Sequence, residues 1–323
     1  MNKVTAISPA NIAFIKYWGK AVPDLNIPFN DSISMNLDNC FTKTTTQFDP
    51  KLKEDVVIIG GIKAFGAKKE RVVKILELVR GLSGIKAFAR VESINNFPSD
   101  AGIASSASGF SALALSASRA AGLNLDKKAL SRLARIGSGS ACRSIPDGFT
   151  YWMRGGSDET SYAKMIAPPN FWDIRDVIAV TSSGAKKVGS TEGHEFARSS
   201  PYFEQRLKDI DKRVRDLKKA LLSKDFEAFG RIVEEEAVDL HVIAMTSKPP
   251  IFYWNAGTMQ VIEKVFDLRE KGILCYFTMD AGPNVHVLCL GKDEAKVGGA
   301  IRRLPLVKLT IANKAGKGAR IVK

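Results

Sequence analysis

Residues 98–109 read Pro-Ser-Asp-Ala-Gly-Ile-Ala-Ser-Ser-Ala-Ser-Gly, and small side chains dominate from there to residue 121. No other segment constrains the fold as much. It predicts a loop feeding a small-residue helix over 107–121. Small residues let backbone N–H groups come close to an anion, and the helix turns its positive N-terminal end on the same place. Ser105, Ser106 and Ser108 add hydroxyl donors. The loop lacks the Gly-x-x-x-x-Gly-Lys-Ser/Thr order of a Walker A motif. An ordinary helix start with serine caps accounts for it equally well, and this loop alone leaves both readings open.

A second loop, 137–144, reads Gly-Ser-Gly-Ser-Ala-Cys-Arg-Ser. An Arg behind flexible small residues is placed to grip a carboxylate or phosphate through two parallel hydrogen bonds. Taken alone, the segment is better explained as a turn carrying a surface Arg. Near the N-terminus, Lys16-Tyr17-Trp18-Gly19-Lys20 pairs two lysines with two aromatics at the end of an expected strand. Asp280 closes an apolar strand before Ala281-Gly282-Pro283-Asn284, where it serves either as a turn former or as a carboxylate projected into a cleft.

Between these segments the apolar spacing predicts strands at 2–17, 32–37, 42–48, 56–59, 87–94, 149–153 and 176–182. Helical spacing predicts 68–82 and 127–136. From 200 onward the character changes: long charged amphipathic helices over 200–224 and 225–243, a helix within 251–272, strands at 274–279 and 285–290, a helix at 294–303 and a strand at 307–311. Strand-rich and then helix-rich halves predict an α+β fold of two units, 1–185 and 186–323, rather than a doubly wound sheet.

The 323 residues carry 48 Lys and Arg against 34 Asp and Glu, a formal net charge of +14. That excess points to a polyanionic partner: nucleic acid, an acidic membrane or a charged small substrate. No basic run interleaved with aromatics favours nucleic acid, and no stretch approaches 18 apolar residues, so neither nucleic acid nor membrane is expected. No signal peptide is read. The four cysteines (Cys40, Cys142, Cys275 and Cys289) form no C-x-x-C pair, and a cytoplasmic, reducing location is the default. The three histidines (His194, His241 and His286) are too few for a His-rich metal site, and no G-x-S-x-G elbow occurs. Acid–base chemistry therefore falls to carboxylates and lysines. Trp152, Trp254, His241 and His286 are expected to be packing residues, and Glu234-Glu235-Glu236 a solvated helix face.

Taken together and in order, Ala10-Asn11-Ile12-Ala13, Ile15-Lys16-Tyr17-Trp18-Gly19-Lys20, Gly102-Ile103-Ala104-Ser105-Ser106-Ala107, Ser138-Gly139-Ser140-Ala141-Cys142-Arg143-Ser144 and Asp280-Ala281-Gly282-Pro283-Asn284 resemble one family. It is the mevalonate diphosphate decarboxylases, within the small-molecule kinases that include galactokinase, homoserine kinase and mevalonate kinase. The resemblance spans essentially the whole chain. It implies an N-terminal lobe like ribosomal protein S5 and a C-terminal ferredoxin-like lobe around a deep cleft. It also implies ATP and Mg²⁺ as cofactors, a homodimer, and decarboxylation of mevalonate 5-diphosphate or, as the alternative, of its 5-phosphate. A kinase that stops at the 3-phosphate, or a non-catalytic binding protein, fits the motifs less well.

By that resemblance Asp280, Lys16 and Arg143 are catalytic, Arg143 holding the substrate carboxylate. Tyr17, Lys20, Asn26, Ser138, Ser140, Ser190, Thr191 and His194 would bind substrate. Pro98, Ser99, Gly102, Ala104, Ser105, Ser106 and Ser108 would line the nucleotide, with Ser106 a candidate for Mg²⁺ held by the ATP phosphates. Three segments depart from the family pattern. Ser99-Asp100 stands where Thr-Ala is frequent, Ala21 where Arg is common, and His194 where Met is usual.

Overall fold

The two longest strands, rich in β-branched residues, pair with each other. In the computed structural model, which describes residues 2–98, 105–182, 184 and 188–322, the strand Lys3–Ile15 runs antiparallel to Ser32–Asp49. These two form the spine of an eight-stranded sheet. Its order is Arg320–Val322, Lys3–Ile15, Ser32–Asp49, Phe88–Asn95, Val56–Ile59 and Ile62–Lys63, with Phe149–Trp152 and Ala163–Ala167 branching from the long strand. The two strands expected at 32–37 and 42–48 are one 18-residue strand. It changes neighbour along its length, pairing with Phe149–Trp152 at its start and with Phe88–Asn95 at its end. Register breaks opposite it, at Pro9/Asn11 and Ala13/Ile15, absorb the bend.

The helix Ser105–Ala120 lies against this sheet, and its small side chains let it lie close. Thr42 and Ser108 share a hydrogen bond of 2.6 Å, Thr46 and Ser116 one of 2.8 Å, and Ser8 pairs with Ser111. Helices Gly66–Ser83 and Lys127–Gly137 complete that apolar layer around Ile75, Leu76, Leu113 and Leu133.

A second, antiparallel sheet has the order Cys275–Thr278, Val285–Leu290, Ile174–Val180, Leu309–Lys314. Ile174–Val180, which precedes residue 185, is in this second sheet, and Arg320–Val322 returns to the first. Helices Phe203–Ser223, Phe226–Thr246, Ala256–Glu270 and Glu294–Arg302 belong to the same half. One apolar cluster joins both sheets. Ile12, Phe14 and Met35 from the first meet Ile178, Tyr276 and Leu288 from the second, with Leu217 and Phe229 from the helices. Cys275 and Cys289 stand opposite each other across paired strands as buried free thiols.

Candidate active site

The spine strand Lys3–Ile15 ends at a cleft of about 740 Å³, and Lys16 is the first residue beyond it. Its backbone N–H donates to Glu236 Oε2 at 3.0 Å. Its Nζ donates to the Ala13 carbonyl at 2.7 Å and to Asp280 Oδ1 at 3.0 Å. Asp280 comes from the turn between Cys275–Thr278 and Val285–Leu290. Lys16 is 1% exposed and Asp280 25%. Burial alone would raise the Asp280 carboxyl, but the charges of Lys16 and Arg143 outweigh it and hold it below the usual carboxylate range. Burial pulls Lys16 downward, opposed chiefly by the Asp280 charge.

Arg143 sits in the tight turn Gly139–Ser144, where its Nε donates to Asn11 Oδ1 at 3.1 Å and its Nη1 to Ser32 Oγ at 3.0 Å. The guanidinium lies 5.8 Å from the Trp152 ring centroid. Asn11 ties this turn to the spine strand: its Nδ2 donates to the Ser140 carbonyl at 3.1 Å and to Ser144 Oγ at 2.8 Å. Two of its three guanidinium nitrogens, Nε and Nη1, are thereby held by side chains of the two long strands of the first sheet. A side chain at Gly139 would collide with Tyr17, its Cβ falling 2.7 Å from the Tyr17 hydroxyl. That hydroxyl is buried with no partner among the described residues.

The helix start at Ser105 and Ser106 meets the second small-residue loop here. Ser106 Oγ and Ser138 Oγ are 3.2 Å apart, and Ser105, Ser106, Ser138 and Ser140 all line the cleft. The N-terminal end of Ser105–Ala120 therefore opens on it. Ser108 is not brought to the cleft; it is buried against the sheet and bonded to Thr42. Pro98 does not line the cleft either. Ser99, Gly102 and Ala104, with Asp100, lie outside the described residues.

At the other end Lys20, Asn26, Ser190, Thr191 and His194 line the same cleft. Asn26, at φ 50°, donates through Nδ2 to the carbonyls of Arg135 and Ile136 at 2.9 and 3.1 Å. His194 Nδ1 accepts the Gly19 N–H at 2.9 Å. Burial, with the charges of Lys20 and Arg143, pushes its pKa down to about 3.

The family model of a diphosphomevalonate decarboxylase-like N-terminal domain matches residues 8–163, and that of the mevalonate 5-diphosphate decarboxylase C-terminal domain matches 176–317. The diphosphomevalonate decarboxylase of Debaryomyces hansenii is 36% identical over 318 residues, covering 92% of this chain and 82% of the relative. The chain belongs to the mevalonate diphosphate decarboxylase family. A phosphomevalonate decarboxylase of Haloferax volcanii is 32% identical, covering 88% of this chain and 87% of the relative. A solved structure of the protein called MDDEF, in complex with MVAPP, AMPPCP and magnesium, superposes with a TM-score of 0.93 at 40% identity, over 99% of each chain.

This decarboxylase-family cleft contains residues that sequence reasoning missed. Lys68, Arg71 and Lys74, three residues apart on Gly66–Ser83, line it beside Lys20. Arg71 Nη2 donates to the Gly137 carbonyl at 2.8 Å, and its guanidinium lies 4.7 Å from the Phe110 centroid. The three-residue spacing of basic side chains was the available signal. Glu236 corrects the expectation of a solvated glutamate face. It is 0% exposed and accepts from Arg206, Arg213 and the Lys16 N–H, while Glu235 is exposed. His241 and Trp152 are buried, as expected of packing residues. His286 is buried too, but bonded to Asp176 at 2.8 Å.

Proposed function

We propose that this chain catalyses the ATP-dependent decarboxylation of mevalonate 5-diphosphate to isopentenyl diphosphate, with ADP, phosphate and CO₂ as co-products, in the mevalonate pathway. The observation that carries this reading is the Lys16–Asp280 ion pair at 3.0 Å in one cleft with Arg143. Family membership supports it independently.

The chemistry asks for that arrangement. A tertiary hydroxyl is a poor leaving group; ATP with Mg²⁺ supplies the phosphoryl group that makes it a good one. Asp280, kept ionised by its cationic neighbours, accepts the proton of the substrate's 3-hydroxyl. Lys16 keeps that carboxylate charged and offsets negative charge at the transfer site. Arg143 holds the substrate carboxylate as its C–C bond breaks and the 3-phosphate departs, the electron pair of the broken bond forming the alkene. Tyr17, Lys20, Asn26, Ser190 and Thr191 bind the phosphorylated end, with His194 beside them in the cleft.

The nucleotide phosphates fit against Ser105, Ser106, Ser138 and Ser140, at a helix N-terminus that favours anions. Among the described residues no three His, Cys, Asp or Glu side chains cluster as a metal cage. A hard divalent ion suits phosphate oxygens supplemented by a hydroxyl, and Ser106 is the candidate. The cluster of Lys20, Arg71 and Lys74 favours a 5-diphosphate over the 5-phosphate named for the Haloferax volcanii relative. The same reading carries a homodimer in the cytoplasm, which sedimentation and cell fractionation test.

The deciding assay follows ADP release with mevalonate, its 5-phosphate and its 5-diphosphate side by side. The 5-diphosphate is expected to have the highest kcat/KM. Preference for the 5-phosphate overturns the substrate assignment, and ADP release with none of the three overturns the function.

A further inference from the structure

His194 lies in the helix Ser190–Phe196, its ring between those of Tyr17 and Trp18, with centroids 4.2 and 4.8 Å away. Its Nδ1 accepts the Gly19 N–H at 2.9 Å. A nitrogen that accepts carries no proton, so the neutral ring bears its proton on Nε2. Gly19 has φ +85°, a left-handed conformation that side chains strain to adopt. It separates Trp18 from Lys20, and both Tyr17 and Lys20 line the cleft. The charges that bear on the ring are Lys20 and Arg143, both cationic, which disfavour an imidazolium there.

We propose that His194 is a positioning residue: its Nδ1 lone pair pins the Gly19 turn, and so fixes Tyr17 and Lys20 at the phosphorylated end of the substrate. This rests on the proposed function. A buried backbone N–H that loses its acceptor destabilises the conformation that buries it. The tests are His194→Met, which fills the space with only the weak acceptor of a thioether, and His194→Asn, whose carbonyl oxygen can stand near the position of Nδ1.

Steady-state kinetics with mevalonate 5-diphosphate is expected to give a KM about tenfold higher for His194→Met, with the KM for ATP within about twofold. His194→Asn is expected to recover most of that loss. ¹⁵N-histidine NMR of the wild-type protein is expected to find His194 with Nδ1 bare and Nε2 protonated. An unchanged substrate KM in His194→Met, equal losses for both substrates, or a ring protonated at Nδ1 overturns the proposal. A wild-type chain inactive with all three mevalonate substrates overturns the proposed function instead, and the NMR tautomer then still decides whether Nδ1 accepts the Gly19 N–H.

Discussion

Lys16 and Asp280, 264 residues apart, meet at 3.0 Å where the spine strand of the first sheet ends against a hairpin turn of the second. The contact joins the two halves of the molecule at the place where chemistry is proposed. The Lys16 main chain is fixed separately by Glu236, so the ammonium is presented from a rigid support. Neither residue is positioned by its own loop alone.

Replacing Lys16 by Met removes the largest charge opposing the effect of burial on Asp280. The Asp280 carboxyl then rises. Because the ionised form is the base in the proposed mechanism, the acidic limb of the kcat/KM profile is expected to move to higher pH, and kcat to fall by about 100-fold or more. A pH–rate series on wild type and variant checks both. An unmoved limb means that Lys16 does not set the Asp280 charge.

Asn11→Ala should act on Arg143 without touching substrate. It removes the acceptor for Arg143 Nε and both donors that tie down the turn. A catalytic group displaced by about an ångström loses on the order of 100-fold in rate. Turnover should fall by roughly 10- to 100-fold while calorimetric affinity for an ATP analogue stays within a few-fold. Arg143→Lys, which keeps charge but loses the planar fork, is expected to fall at least as far.

Glu236→Gln leaves Arg206 and Arg213 without their shared buried carboxylate. Breaking a buried pair from one side costs about 3–5 kcal/mol, read as a lower urea midpoint. In the wild type, burial would raise the Glu236 carboxyl, but Arg206 and Arg213 outweigh it and hold it low. A depressed folded value means that stability from this group is complete above the unfolded value, about 4.3, and is lost as pH falls through the folded one. Urea midpoints between neutral pH and pH 3 should therefore fall more steeply in wild type than in Glu236→Gln.

Much of the fold was legible in the sequence, because long elements declare themselves by period. The helices around 200–224 and 225–243 and the hairpin carrying Asp280 stand where spacing placed them. Short elements did not declare themselves. Arg320–Val322 is a strand because the distant Lys3–Ile15 pairs with it, Ala163–Ala167 is a five-residue strand with no clear alternation, and Ser190–Phe196 makes barely two turns. Glu236 was misread because three glutamates in a row look solvated, yet each helical step turns about 100° and carries the third inward to Arg206. Ser108 was read as a phosphate donor for its place in a serine run; the same rotation turns it to Thr42. Arg71 looked like any cation on an amphipathic helix, and only the packing of that helix beside Gly137 brings it to the cleft.

The most direct test of the account is the stoichiometry of the reaction with mevalonate 5-diphosphate and excess ATP and Mg²⁺, followed as ADP, phosphate, CO₂ and organic product together. The expected result is one ADP, one phosphate, one CO₂ and one isopentenyl diphosphate per substrate consumed. ADP formed without CO₂, with a stable 3-phosphorylated acid accumulating, would contradict it.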